Sequence, residues 1–463
     1  MNHDDLRHWS KHAADWAHEY HAGLRDRPVR PATRPGATAA RLPAAAPEQA
    51  EPMEAIFADF ERIVPDAMTH WQHPRFFAYF PANAAPASML AEQLANAIAA
   101  QAMLWQTAPA ATEIEQVMIR WLAQALGLPT GMTGTLHDSA TTATLAAVLT
   151  MRERALDWAG VRQGLSGQPM LRLYASAETH SSVDKAVRVA GIGQDNLIKV
   201  PTDSTHAMDP AALERAIAAD KAQGLLPAGV VLCAGGTSIG AFDRMAESIA
   251  IAKAHGLYTH VDAAWAGSAM ICPEFRPLWA GAEAADSIIF NPHKWLGAQF
   301  DCAVQFLADP GPQIRTLGLR PEYLQTQGQD DITNFNEWTL PLGRRFRALK
   351  LWFVLRAYGL DGLRTRIRNH VAWSVEACAA VAALPGIEIT TAPALSLFTF
   401  ARTTGDAATE ALLARINDDG RLYLTQTRHQ GRFVIRVQVG QFDCRRDDVM
   451  KIPTVVAEFL EAG

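Results

Sequence analysis

At 463 residues the chain is too long for one simple core and fits a large domain joined to one or two smaller ones. A composition of 49% hydrophobic and 19% charged residues is that of a globular protein, and a net charge of −6 argues against a nucleic-acid footprint. Five scattered cysteines with no C-x-x-C pair exclude a disulfide framework or a cysteine zinc site and suit a reducing cytoplasm.

The N-terminus, "MNHDDLRHWSKHAADW", is charged from the third residue and lacks a signal-peptide core, and no apolar run approaches a membrane span. A soluble, cytoplasmic protein without membrane partners is expected. Residues 4–24 read as an amphipathic helix, and residues 28–50, rich in Pro and Ala, as an extended connector or an arm lying on a partner. Helical spacing returns from Glu54 to Met68. From about 85 to 160 the chain reads as Ala-rich helix, interrupted near Gly127–Gly134.

An alternation then begins. "LRLYAS" (171–176) is a strand, and "SSVDKAVRVAG" (181–191) a helix with a serine start and a glycine stop. "NLIKVP" is a strand, and Asp209 caps the helix "PAALERAIAADKAQG". "AGVVLCAGGT", "YTHVDAAW", "SIIFN" and "CAVQFLA" are further strands, with the helix "ESIAIAKAHG" among them. Such alternation implies an α/β fold with a mostly parallel sheet covered on both faces. Past Arg344 a long helix leads to "IEITTA", "LSLFTFA" and "RFVIRVQV", which alternate as half-exposed strands of a smaller α+β domain do.

Open α/β sheets bind ligands beyond the carboxyl ends of their strands. Four consecutive strands end near His180, near Thr237, at Asp262 with Ala264, and at Asn291, His293 and Lys294. Singly, each has an ordinary reading as a cap, a turn residue or a solvated lysine. Together they bring an imidazole, a hydroxyl, a carboxylate and an amine to one rim. A second feature is "GTLHDSATTATLAAVL", where Ser139, Ala140 and Thr141 open an apolar helix whose free N–H groups could cradle a dianion. Its ordinary reading is a serine N-cap. A lysine, a carboxylate, a flat imidazole and a phosphate cradle are together what pyridoxal phosphate requires.

These residues, with "LPAAAPE" (42–48), "HPRFFAYFP" (73–81), "APAATEIE" (108–115), "HSSVDKA" (180–186), "VDAAWAGSA" (261–269), "NPHKW" (291–295) and "PLGRRFRALKLWF" (341–353), carry a resemblance over almost the whole length. The chain resembles the pyridoxal-phosphate-dependent group II amino-acid decarboxylases, the aromatic L-amino-acid decarboxylase family. The resemblance implies fold type I: a mostly parallel seven-stranded sheet flanked by helices. The implied domains are an N-terminal helical dimerisation segment (1–85), a large cofactor-binding domain (86–370) and a small C-terminal α+β domain (371–463).

It also implies roles. Lys294 resembles the lysine that joins pyridoxal 5'-phosphate as an imine, Asp262 the partner of the pyridine nitrogen, His180 the imidazole stacked on the ring, and Ala264 the small residue on its other face. Ser139, Ala140 and Asn291 match phosphate-binding positions, with Thr141, His293 and Thr237 close by. Trp71, Tyr79, Phe80 and Pro81, followed by Ala82, match the substrate-pocket wall. Gln101 and Met103 fall at positions contributed by the other subunit of a homodimer with shared sites. Tyr323 matches a loop tyrosine that returns a proton to the substrate carbon. Relatives with phenylalanine there tend to form aldehydes.

The expected reaction is decarboxylation of an aromatic L-amino acid to its amine. An aldehyde synthase, an aminotransferase, a decarboxylase of a non-aromatic amino acid and a catalytically silent scaffold are the alternatives. Three departures from the family pattern stand out: Ala82–Ala85 where hydroxyl residues are usual, His137-Asp138 in place of Gln-Gly, and Trp265 in place of tyrosine.

Overall fold

The computed structural model describes residues 1–319 and 332–461. Seven strands form the central sheet: β1 (Thr133–His137), β2 (Leu171–Ser176), β3 (Leu197–Val200), β4 (Leu226–Cys233), β5 (Tyr258–Asp262), β6 (Ser287–Phe290) and β7 (Ala303–Leu307), in the order β1-β7-β6-β5-β4-β2-β3. Strands β2 to β6 pair in parallel, while β7 runs antiparallel to both β6 and β1. β4, β5, β6 and β7 are buried almost throughout because helices cover both faces; β4, β6 and β7 are correspondingly mostly apolar, whereas β5 buries Thr259 and His260 by hydrogen-bonding them to Asp286 and Ser287. The carboxyl ends of β1, β2, β4, β5 and β6 therefore share one rim.

The expectation of helix over 85–160 is corrected in part. Helices Pro86–Ile98, Pro109–Leu126 and Ala140–Ala155 are present, but β1 lies between the last two. Gly134 allows this. A β-carbon there would meet the Gln305 carbonyl oxygen at 2.1 Å, so only glycine lets the edge strand close onto β7.

A second, antiparallel sheet has the order β10-β11-β9-β8, built from β8 (Ile387–Ala394), β9 (Leu397–Arg402), β10 (Thr425–His429) and β11 (Arg432–Gln438). Its apolar face, including Phe398, Phe400, Ile435 and Val437, packs on helices Asp406–Asp419 and Lys451–Glu461. Helix Arg347–Ala382, kinked at Gly359 (φ 61°), places Leu351 and Val354 in the large core and Ala377 and Val381 in the small one. At the N-terminus, helix His3–Ala22 buries no residue within the chain; Trp9 and Trp16 instead pack on Phe57 and Phe60 of helix Met53–Ile63. Among the described residues no helix is long and apolar enough to cross a membrane.

Candidate active site

A cavity of about 260 Å³ opens at the shared rim. Asp262 ends β5, pairing with Cys233 of β4 on one side and Ile289 of β6 on the other, so neighbouring backbones hold the carboxylate in place. It is 7% exposed and accepts the Ala264 N–H at 3.1 Å. After β6, Pro292–Trp295 forms a single helical turn that points Lys294 into the same cavity. Burial lowers the Lys294 ammonium to about 8, against the pull of Asp262 and with help from the Arg436 guanidinium. This lysine therefore gives up its proton more readily than an ordinary one.

His180 caps helix Ser181–Val189. Its Nδ1 accepts the Ser182 N–H at 3.1 Å, which puts the ring proton on Nε2, and burial lowers its pKa. Ser139 caps helix Ala140–Ala155 by accepting the Thr142 N–H at 3.2 Å, and Ser139, Ala140 and Thr141 line the cavity. Thr237, Ala264 and Asn291 complete the expected set in the wall. His293 is the exception. Its Nδ1 accepts the Cys302 N–H at 2.9 Å, its ring lies against Phe300, and it is not in the cavity lining; burial lowers its pKa to about 3. Asp138 is also outside the wall, with the Arg347 guanidinium among its charged neighbours.

A neighbouring cavity of about 340 Å³ shares Phe80, His180, Thr237 and Lys294 with the first. Trp71 and Tyr79, stacked at 5.8 Å, form one side of it. Pro81, Ala82, Gln101 and Met103 line neither cavity within the chain; Gln101 instead accepts the Arg344 N–H at 2.7 Å. Tyr323 lies outside the described residues.

Sequence reasoning missed the other side. Thr425, Gln426 and Thr427 of β10 and Arg436 of β11 close this cavity from the small sheet. Arg436 is 3% exposed. Its Nε donates to the Thr237 carbonyl (2.9 Å) and its Nη1 to the Tyr79 carbonyl (2.5 Å), while Nη2 is buried with no partner among the described residues. Burial lowers it to about 9. The available signal was an arginine inside the apolar run "FVIRVQV", since such a cation stays buried only when something anionic or polar meets it.

Behind the cavity, Phe80 stacks on Trp265 (4.7 Å), Trp265 on Trp295 (5.2 Å), and the Trp295 indole N–H donates to Nδ1 of the buried His370 (2.9 Å). Lys294 Nζ lies 4.9 Å from the centre of the Phe80 ring.

Residues 35–402 match the model of the pyridoxal-dependent decarboxylase conserved domain. The chain belongs to the pyridoxal-dependent decarboxylases. The aromatic-L-amino-acid decarboxylase of Sus scrofa is 40% identical to it over 454 residues, covering 95% of this chain and 93% of the relative. The solved structure of Oryza sativa TDC with PLP and tryptamine superimposes with a TM-score of 0.95 at 33% identity, covering 99% of each chain. Rhodiola rosea 4-hydroxyphenylacetaldehyde synthase reaches 0.93 at 32% identity, covering 100% of this chain and 99% of that one.

The cofactor of this decarboxylase is pyridoxal 5'-phosphate, and the cavity suits it. A buried carboxylate and a depressed lysine line one space. A sixteen-residue helix starts at its edge with first-turn N–H groups. The Asn291 Oδ1 is buried with no partner among the described residues.

Proposed function

We propose that the chain removes the α-carboxylate of an aromatic L-amino acid as CO₂ and releases the amine, working as a homodimer. The observation that carries this reading is the joining of the Asp262–Lys294 cavity to an antechamber with an aromatic side (Trp71, Tyr79, Phe80) and a buried, incompletely paired arginine (Arg436).

When bound, the cofactor supplies an aldehyde for amines and a cationic ring that takes up the electron pair left by CO₂. The residues proposed to hold it are Ser139, Ala140, Thr141 and Asn291 at the phosphate, Asp262 at the ring nitrogen, and His180 and Ala264 against the ring, with Thr237 at its edge. Asp262, fixed by two flanking strands, keeps a proton on the ring nitrogen. Lys294 in its neutral form would be the amine that holds the cofactor aldehyde. Phe80, Trp71 and Tyr79 receive the aromatic side chain, and the buried Nη2 of Arg436 offers a charge-assisted hydrogen bond to a substrate carboxylate. Tyr323 is proposed to return the proton to the substrate carbon.

Dimerisation is supported by the N-terminal segment and the helix that follows it. Leu6, Ile56 and Met68 of the segment and Leu90, Leu94 and Ile98 of helix Pro86–Ile98 are exposed in the single chain, and the first helix has no buried residue. A cytoplasmic location is proposed on the five buried, unpaired thiols.

The test is to incubate the purified protein with tryptophan, tyrosine, phenylalanine, dihydroxyphenylalanine, histidine and glutamate, and to quantify CO₂, amine and aldehyde. Equimolar CO₂ and amine from an aromatic substrate is the expected result. Aldehyde as main product would transfer the reading to the synthase chemistry named for the Rhodiola rosea neighbour. Tyr323→Phe should move product from amine toward aldehyde, and an unchanged amine yield would remove Tyr323 from its proton-donor role.

A further inference from the structure

The departure at Ala82–Ala85 turns on one residue. Asn83 is 1% exposed and lines neither cavity. Its main-chain N–H donates to the His293 carbonyl (3.0 Å). Its Nδ2 donates to the Lys294 carbonyl (2.6 Å) and to the Gly440 carbonyl (2.9 Å), and its Oδ1 accepts the Phe442 N–H (2.8 Å). Two residues on, the Ala85 N–H donates to the Gly297 carbonyl (2.9 Å), so residues 83–85 run as a short zip along the lysine turn. Gln72 braces the same loop from behind: its Nε2 donates to the Ala82 carbonyl, and its Oε1 accepts the Ala84 N–H (3.0 Å).

One side chain thereby joins three stretches distant in sequence: the loop carrying Phe80, the turn carrying Lys294, and the segment that follows β11. A primary amide is suited to this because it offers two donors and an acceptor in one plane, whereas a hydroxyl offers one donor. Removing it would leave two carbonyls and one N–H in a buried region without partners.

We infer that Asn83 is a positioning residue for Lys294. It fixes the main chain of the lysine turn against the segment that continues from the strand carrying Arg436, so that the amine and the guanidinium keep a constant relation across the shared cavity. The inference rests on the reading that Lys294 carries the cofactor. It gives this chain's departure from the usual hydroxyl residues a function: Asn83 acts on the lysine's backbone and not on the substrate.

The experiment compares Asn83→Ala with Gln72→Ala in the full-length protein. Four properties are measured: melting temperature of the cofactor-free form, position of the borohydride-reduced cofactor by peptide mapping, pH midpoint of the lysine–cofactor absorbance, and kcat with KM. Both variants should melt lower. Only Asn83→Ala should lower kcat, by about tenfold as the amine moves off its productive position, with KM within about twofold. Only Asn83→Ala should also move the absorbance midpoint by at least about half a unit.

An unchanged midpoint and kcat in Asn83→Ala would overturn the inference, as would equal changes in Gln72→Ala. If Asn83→Ala does not fold, Asn83→Asp, which keeps the shape and the acceptor but loses the donors to Lys294 and Gly440, is held to the same criteria. A reduced cofactor found away from Lys294 in the unsubstituted protein would instead sink the underlying reading, which separates the two failures.

Discussion

The joined cavities have two walls of different construction. The wall from the large sheet is set by strand ends: Asp262 sits between paired neighbours, Lys294 on a turn fixed by Pro292, and Ser139 and His180 each cap a helix that follows a strand. The wall from the small sheet is assembled by docking, with Arg436 reaching out of β11 to the carbonyls of Thr237 and Tyr79. Positions held by local backbone pairing suit a ligand that never changes, the cofactor. Positions held by contacts between separate segments can be altered one at a time and suit the choice of substrate.

Four substitution tests would break or sharpen that division. Lys294→Ala should cost the most, at least about 10⁴-fold in activity, and should abolish borohydride-trappable cofactor; retention of the trapped adduct at its usual level refutes the assignment. Asp262→Asn should lower kcat by about 10² to 10³ and weaken cofactor retention for every substrate alike, measured by activity and cofactor content after dialysis.

Arg436→Met should lower kcat/KM roughly tenfold to a hundredfold, the loss of one charge-assisted hydrogen bond, while leaving the cofactor absorbance as it was. If it releases cofactor as readily as Asp262→Asn does, the two walls do not divide the work.

The smallest effect concerns the cofactor-free protein. Burial holds the Lys294 pKa at about 8, below the ordinary lysine value of 10.5, so between these limits the unfolded chain binds more protons and folding stability from this group rises with pH. The cost is fully present below about pH 8 and is relieved on going to 10.5. Lys294→Met should therefore stabilise the cofactor-free form at pH 7 by about 1–3 kcal/mol and by much less near pH 10.5, as read by denaturant unfolding. An equal gain at both pH values would contradict the buried-ammonium explanation.

The same division governs what was legible in the sequence. Strands β2, β4, β5 and β6 alternate with helices and turn residues along the chain, so their ends, and with them His180, Thr237, Asp262 and Lys294, are legible in the sequence. Strand β1 was hidden because five residues between two Ala-rich helices carry no period of their own, and its pairing depends on Gly134 meeting β7. Strand β10, "TQTRH", is polar along its length and forms by pairing with β11, so neither it nor its cavity-facing residues could be read. His293 stood at the right rim, but its ring is engaged by the Cys302 backbone. Asn83 carries no local signal of its role, because its three side-chain hydrogen bonds all go to residues more than two hundred positions away.

The ring column behind Lys294 has an optical consequence. Trp265 forms part of the cavity wall and lies 5.2 Å from Trp295, with the two planes 19° apart, so these indoles share excitation with each other and with any chromophore seated against them. Filling the cavity should therefore dim this pair's share of the emission from the chain's twelve tryptophans, a change that titrating the cofactor-free protein with pyridoxal phosphate would read.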